Sequence, residues 1–157
     1  EIGGFAHSTE NMNELFLLQV SGERWAEVIR SALRGKKKNK IGSINAHAPG
    51  DSHIDGTGAS ALHLALGEKA KKIPVVSIKG AVGQGFSSAG MFQIAAAAMS
   101  FRTGMIPPSV NCSNPDPALG VRVTQKKEHR RIGTQVLVSG HGVGGVNAAF
   151  LLEEFSA

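Results

Sequence analysis

The stretch "IPVVSIKGAVGQGFSSAG", Ile73 to Gly90, restricts the folds open to this chain more than any other. Its apolar residues come as an unbroken run, not in alternation. Strands covered on both faces read this way, as the central strands of parallel sheets do. Glycines then turn the chain into a helix of small residues, roughly Ser87 to Thr103, with "IAAAAMS" at its middle. Parallel strands need crossover connections, so the rest of the sequence must supply helices between strands.

It does so in order. The spacing of Trp25, Val28, Ile29, Ala32 and Leu33 predicts a helix from Gly22 to Arg34, with Ser21 as its cap and Gly35 as its stop. "EIGGFA" reads as a short strand, "IGSINAHA" (Ile41 to Ala48) as the next, "PGDSHIDG" as a loop, and Thr57 to Gly67 as a second helix. "TQVLVSG" and "NAAFLLEE" read as two last strands joined by the glycine turn "HGVGG". The prolines of "IPPSVN" forbid a regular element there. This order predicts a single α/β domain over residues 1–157. Its sheet would be mixed and five-stranded, mostly parallel with an antiparallel edge, with helices on both faces.

Composition removes several function classes. A chain of 157 residues with 41% hydrophobic content can bury a core. No apolar run approaches the roughly 18 residues that span a bilayer, and "EIGGFAHSTE" lacks the basic and apolar regions of a signal peptide. The sequence opens on Glu1 without an initiator Met, which fits a processed, cleaved or split piece. The single cysteine, Cys112, forms no internal disulfide and fits a reducing cytoplasm. The net charge of +5 gathers in "GKKKNK" (Gly35 to Lys40) and "KKEHRR" (Lys126 to Arg131). These are either solvated loops or a landing surface for an acidic partner or a phosphate. Aromatics make up 5% and do not interleave with the basic residues, so no stacking platform for nucleic acid is visible.

In open α/β sheets ligands collect at the carboxyl ends of the strands. His47, Lys79 and the "HGVGG" turn all fall there, and their conjunction favours a shared pocket. Gln84, at the tip of the turn after Lys79, is an amide that cannot move a proton. "GAVGQG" lacks both the G-x-G-x-x-G spacing and the lysine of a phosphate-binding loop. His47, His53, Asp51 and Asp55 match no standard zinc spacing, so neither a metal nor a cofactor is expected. Cys112 sits in a turn with no helix start behind it to lower its pKa, which makes it a poor nucleophile.

Four stretches taken together, "INAHAPGDSHID", "VVSIKGAVGQGFSSAG", "GMIPPSVNCSNPDP" and "VSGHGVGGVNAAFLL", resemble the C-terminal portion of β-ketoacyl synthases. These are the thiolase-fold condensing enzymes of fatty-acid and polyketide synthesis. The family pattern runs H-G-T-x-T with a following Asp, then Lys and G-H-x-x-x-A-A-G, then I-P-P-T-x-N, then G-F-G-G-T-N. The resemblance implies a thiolase-like fold and about half of a condensing enzyme. The cysteine nucleophile belongs to the N-terminal half, which would come from another chain.

Position by position, His47 matches the first family histidine, Lys79 the lysine and Asp55 the aspartate. Gln84 falls on the second histidine. In the family both histidines donate hydrogen bonds to the malonyl thioester oxygen as an enolate forms, so preorganised donors there lower the barrier. Ala48, Pro49 and Asp51 replace Gly, Thr and Thr, and Asp51 would set a negative charge where a malonyl carboxylate rests. Gly58 stands where a glutamate often partners the lysine. His141 and Val143, with Gly144 beside them, occupy the turn that carries the family's two gating phenylalanines.

This pattern resembles chain length factors, the ketosynthase-like subunits that pair with an active ketosynthase and shape the acyl tunnel. The implied partners are an N-terminal ketosynthase-like half, an active ketosynthase and an acyl carrier protein with its phosphopantetheine-linked chain. Neither nucleic acid nor membrane is among them. Carrier proteins are acidic, which would give Lys126, Lys127, Arg130 and Arg131 a docking role. The alternative is the C-terminal part of an active β-ketoacyl-carrier-protein synthase. That enzyme would run decarboxylative condensation with His47, Lys79 and a cysteine from the other half. An unrelated α/β binding protein is the third reading.

Overall fold

The computed structural model describes residues 1–10, 21–129 and 133–155. Along the chain run β1 (Ile2–Thr9), α1 (Glu23–Ala32), β2 (Ile41–Asn45), α2 (Ser52–Leu66), β3 (Pro74–Val76) and α3 (Lys79–Val82). There follow α4 (Ala89–Thr103), β4 (Met105–Ile106), β5 (Arg122–Val123), β6 (Glu128–His129), β7 (Gln135–Gly142) and β8 (Val146–Glu153). One six-stranded sheet has the order β1-β8-β7-β2-β3-β5, and β4 pairs with β6 apart from it. β2 is parallel to β3 and β7, and β3 to β5, while β8 runs antiparallel to both of its neighbours, β1 and β7. The five expected strands are present. The sixth, β5, is two residues long, too short to leave a periodic signal in a turn-rich segment.

Alternation along the last two strands shows how the layers form. Leu137, Ala149 and Leu151 pack with α1 and α2, whereas Val136, Val138, Phe150 and Leu152 pack with α4. Successive side chains on a strand point to opposite faces, so the sheet is covered by α1 and α2 on one side and by α4 on the other. The stripe of α1 is buried as its spacing requires, with Trp25, Ala26, Val28, Ile29 and Ala32 turned inward. Its end lies so close to β1 that a Cβ on Gly4 would stand 2.0 Å from the carbonyl oxygen of Ala32.

Among the boundaries that differ from the sequence expectation, three have a clear local cause. α1 is capped by Gly22 in the left-handed region (φ 68°), while the Ser21 hydroxyl accepts a long 3.4 Å bond from the Glu23 N–H. Only glycine adopts that conformation at little cost. α2 starts at Ser52, inside the expected loop "PGDSHIDG", because Asp51 caps it: one carboxylate oxygen accepts from the backbone N–H groups of His53 and Ile54 at 3.0 and 2.9 Å. Lys79 is not a strand residue; β3 ends at Val76, and Lys79 opens the single turn of α3.

Asp51→Ala should therefore destabilise the fold by about 0.5–2 kcal/mol in urea denaturation, with Asp51→Asn close to wild type, since Asn also caps. Equal stability of all three proteins would remove the capping role.

Candidate functional site

The carboxyl end of the parallel strands gathers two imidazoles, a lysine and an indole. His47 follows β2 and Lys79 opens α3; both are buried, at 6% and 8% exposure. Lys79 Nζ lies 2.8 Å from His47 Nδ1. An ammonium has only donors, so Nδ1 accepts and the ring proton sits on Nε2. Burial, reinforced by the electrostatic effects of the Lys79 ammonium and the neighbouring His141, lowers the His47 pKa to about 3, so the ring is neutral. Among the described residues nothing bonds its Nε2–H, which is left to donate to a ligand. Burial brings Lys79 down to about 8 against the opposing pull of Asp55. Asp55 itself is raised, chiefly by burial, and accepts the Gly50 N–H at 3.3 Å. Although Gly58 leaves the expected partner position without a carboxylate, Asp55 thus supplies part of the counter-charge.

His141, at the end of β7, faces the same place, its ring 6.0 Å from His47 and 5.5 Å from Trp25. Its proton can be located by elimination. Asn147 donates its amide N–H to the Glu10 carboxylate, so the amide oxygen is turned to His141 Nδ1, 3.0 Å away. A carbonyl only accepts, so Nδ1 carries the hydrogen and Nε2 is a lone pair. Burial lowers the His141 pKa, against the contrary effects of Asn147 and Glu10, and the ring is neutral. The site thus holds two imidazoles but one free N–H.

Backbone packing fixes Lys79. A Cβ on Gly80 would stand 1.9 Å from the Val110 carbonyl oxygen, so only glycine lets α3 meet the "IPPSVN" segment. Asn111, in the left-handed region at φ 62°, donates its amide to the Gly80 carbonyl at 3.1 Å. The Ser109 hydroxyl accepts the Ser77 N–H at 3.0 Å.

His47 also lines a cavity of about 430 Å³ between α2 and residues 109–123. Sequence reasoning missed three of its walls. Trp25 was expected only as core, but it lines the cavity and donates its indole N–H to the Ser139 hydroxyl at 2.7 Å. The signal was available, since a buried indole N–H needs an acceptor. Cys112 and Asp116 also reach the cavity, brought there by the loop that prolines shape.

The remaining expected residues lie elsewhere. Asp51 is exposed and committed to its cap, and it does not line the cavity. Gln84 is half-buried outside the cavity lining, with its amide oxygen buried and unbonded among the described residues. Val143 and Gly144 are exposed in the β7–β8 turn. Lys126 and Lys127 are exposed beyond the carboxyl end of β5, on the same end of the sheet as His47. Arg130 and Arg131 lie outside the described residues. The other basic run precedes β2, at the opposite end. There Lys36 pairs with Glu153 at 2.6 Å and Lys38 donates to the Ala65 carbonyl at 2.8 Å, so part of that run is structural. No group of three or more potential ligands to a metal occurs among the described residues. No described helix is long and apolar enough to cross a membrane.

Residues 1–113 match the family model for the beta-ketoacyl synthase, C-terminal domain. The tetracenomycin polyketide synthase ketoacyl synthase alpha subunit of Streptomyces glaucescens is 33% identical over 155 residues, 97% of this chain and 36% of that protein. The 3-oxoacyl-[acyl-carrier-protein] synthase 2 of Synechocystis sp. is 28% identical over 121 residues, 77% of this chain and 29% of that protein. This chain therefore spans about a third of the length of the curated relatives it matches. Among solved structures, a type II polyketide synthase acyl-carrier protein in complex with its ketosynthase superposes with a TM-score of 0.91 at 22% identity, over 99% of this chain and 38% of that one. The ishigamide ketosynthase/chain length factor gives 0.88 at 22% identity, over 99% and 38%. The fold is the thiolase-like one of ketosynthases.

Two outcomes follow from the geometry. Between about pH 8 and 10.5 the unfolded chain holds the Lys79 proton that the native state has released, so stability should rise with pH across that window. Urea midpoints measured over pH 7–11 should show this rise in wild type and lose it in Lys79→Met. Gly80→Ala should cost about 1–3 kcal/mol or more by overpacking against Val110; an unchanged midpoint would refute the close contact.

Proposed function

Because the chain belongs to the β-ketoacyl synthase family, as its C-terminal domain, we propose that it is a non-catalytic, ketosynthase-like subunit of the chain length factor type. It would pair with an active ketosynthase in type II polyketide or related synthesis and shape the path of the growing acyl chain. One observation carries this reading: of the two imidazoles at the site, only His47 offers a free N–H, because Asn147 engages the proton of His141. Gln84 stands where the family motif has its second histidine. Decarboxylative condensation asks for two donors at the developing oxyanion, and losing one typically costs about 10²–10³ in kcat.

An unpartnered face supports the pairing. Met91, Phe92 and Met99 on α4 are exposed, together with Val82 and Phe86 before it, and large apolar side chains left exposed within one segment are of the kind that marks an interface. We assign it to a second ketosynthase-like half. Lys126 and Lys127 are exposed on the same end of the sheet as His47, which supports a docking role toward an acidic carrier protein. A cytoplasmic setting fits the lone reduced cysteine.

A second reading, part of an active condensing enzyme, is favoured by the intact 2.8 Å contact of Lys79 with His47. Kinetics of the reconstituted complex separate the two. For a non-catalytic subunit, His47→Ala changes the condensation rate by less than about threefold while shifting product length, and Gln84→His restores no second activity. Loss of about 10²-fold or more with His47→Ala would establish the catalytic reading instead.

A further inference from the structure

The basic residues of this chain are sorted toward one end of it. Residues 30–40 and 67–72 hold nine of the 17 Lys and Arg residues but one of the 12 carboxylates, Glu68. Nine cations less one carboxylate leave +8 there, in a chain of +5 overall, so the remaining residues carry −3. The two runs lead into β2 and β3, which are neighbouring parallel strands, so they lie side by side at the end of the sheet opposite His47. Lys38 and Arg30 tie the first run to the last turn of α2, donating to the carbonyls of Ala65 at 2.8 Å and Leu64 at 3.1 Å. Gathering like charges costs self-repulsion, which solubility alone does not require.

Internal roles account for only part of the cluster. Besides those two carbonyl contacts, Lys36 pairs with Glu153 at 2.6 Å and Lys71 with Glu68 at 2.9 Å. Arg34, Lys37, Lys40, Lys69 and Lys72 are exposed and make no side-chain hydrogen bond or ion pair with a described residue. Glu1, Glu153 and Glu154 stand at the same end, but on the side of β1 and β8.

The residue types select the partner. Protein–protein interfaces favour Arg and aromatic side chains and are depleted of Lys. Four of these five cations are Lys, and neither run contains an aromatic residue. Nucleic acid is disfavoured on the same ground, since no ring is present on which a base could stack. Lysine is a compact, hydrated charge on a flexible stem, suited to diffuse attraction by a surface of many anionic groups. Leu64, 48% exposed on the turn that Arg30 bonds, adds an apolar side chain among the charges.

We propose that this end of the molecule, at the amino ends of β2 and β3, is a peripheral docking surface for an anionic phospholipid bilayer. The contact is at headgroup level, so no segment crosses the bilayer. It turns the His47 end away from the lipid, toward the aqueous phase. The assignment goes beyond the ketosynthase-like reading and does not depend on it.

Co-sedimentation with vesicles tests it, on the protein together with any subunits that copurify. In about 0.1 M salt the protein should bind phosphatidylcholine vesicles containing about one third phosphatidylglycerol, and not pure phosphatidylcholine. About 1 M salt, where charges are screened within about 3 Å, should release it. Lys37→Gln with Lys72→Gln, one from each run, should lower the partition coefficient about thirtyfold, roughly fivefold per lysine. Lys126→Gln with Lys127→Gln, an equal charge change at the other end, should lower it less than about threefold, because the attraction fades within a Debye length. Both double variants should keep the wild-type urea midpoint.

Failure to bind the acidic vesicles overturns the proposal, and so does an equal loss in the two double variants. Tighter retention by poly-L-glutamate than by these vesicles, at equal charge and salt, overturns the lipid assignment in favour of an acidic protein. None of these results touches the His47 kinetics by which the subunit role is judged, so the two can fail separately.

Discussion

Ser139 on β7 holds the layers of this molecule together. Its hydroxyl accepts the indole N–H of Trp25 from the layer of α1, and its carbonyl accepts the side-chain amide of Gln93 from α4 on the other face. Gln93 also exchanges two bonds with Asn45 on β2, one in each direction at 3.1 Å. These groups are almost wholly buried, and the low dielectric around them makes each bond costly to lose. Strands β2 and β7 are thereby fixed relative to both helical layers at the very level where His47 and His141 emerge. The site inherits its rigidity from this clamp.

The chemistry at the site follows from how buried groups share protons. Glu10 dictates the orientation of Asn147, Asn147 dictates the tautomer of His141, and Lys79 dictates that of His47. One imidazole is set as a donor and the other as an acceptor. Such an arrangement suits a hydroxyl or carbonyl that is to be held in place, and it suits poorly an oxygen that must gather negative charge. Burying Lys79 without a full ion pair costs stability, and the fold tolerates that cost to keep His47 in one tautomer.

Much of the architecture was legible in sequence because it is periodic. The stripe of α1, the buried run at β3 and the alternation of β7 and β8 each announce an element and its inner face. Local composition hid other features. The start of α2 is masked by Gly, Pro and Asp, since the same residues that make loops also cap helices. Lys79 reads as the end of a strand, but Gly80 and Val110 bend the backbone into a turn beside it. The site was legible only in part. His47 and Lys79 could be placed at neighbouring strand ends, whereas the direction of the His141 proton depends on Glu10, 137 residues from Asn147. The two basic runs look alike in sequence and part company in space, because one precedes a parallel strand and the other follows one.

Gly58 and Trp25 bear on where such a protein can go next. A Cβ at position 58 would stand 3.2 Å from the indole, closer than ordinary contact, and a longer acidic side chain would need still more of the same room. A glutamate placed there to partner Lys79 requires the Trp25 ring to give by a few tenths of an ångström, and that ring is held by its bond to Ser139. Positions 25 and 58 are thus coupled, and a substitution at either one changes what the other can accommodate.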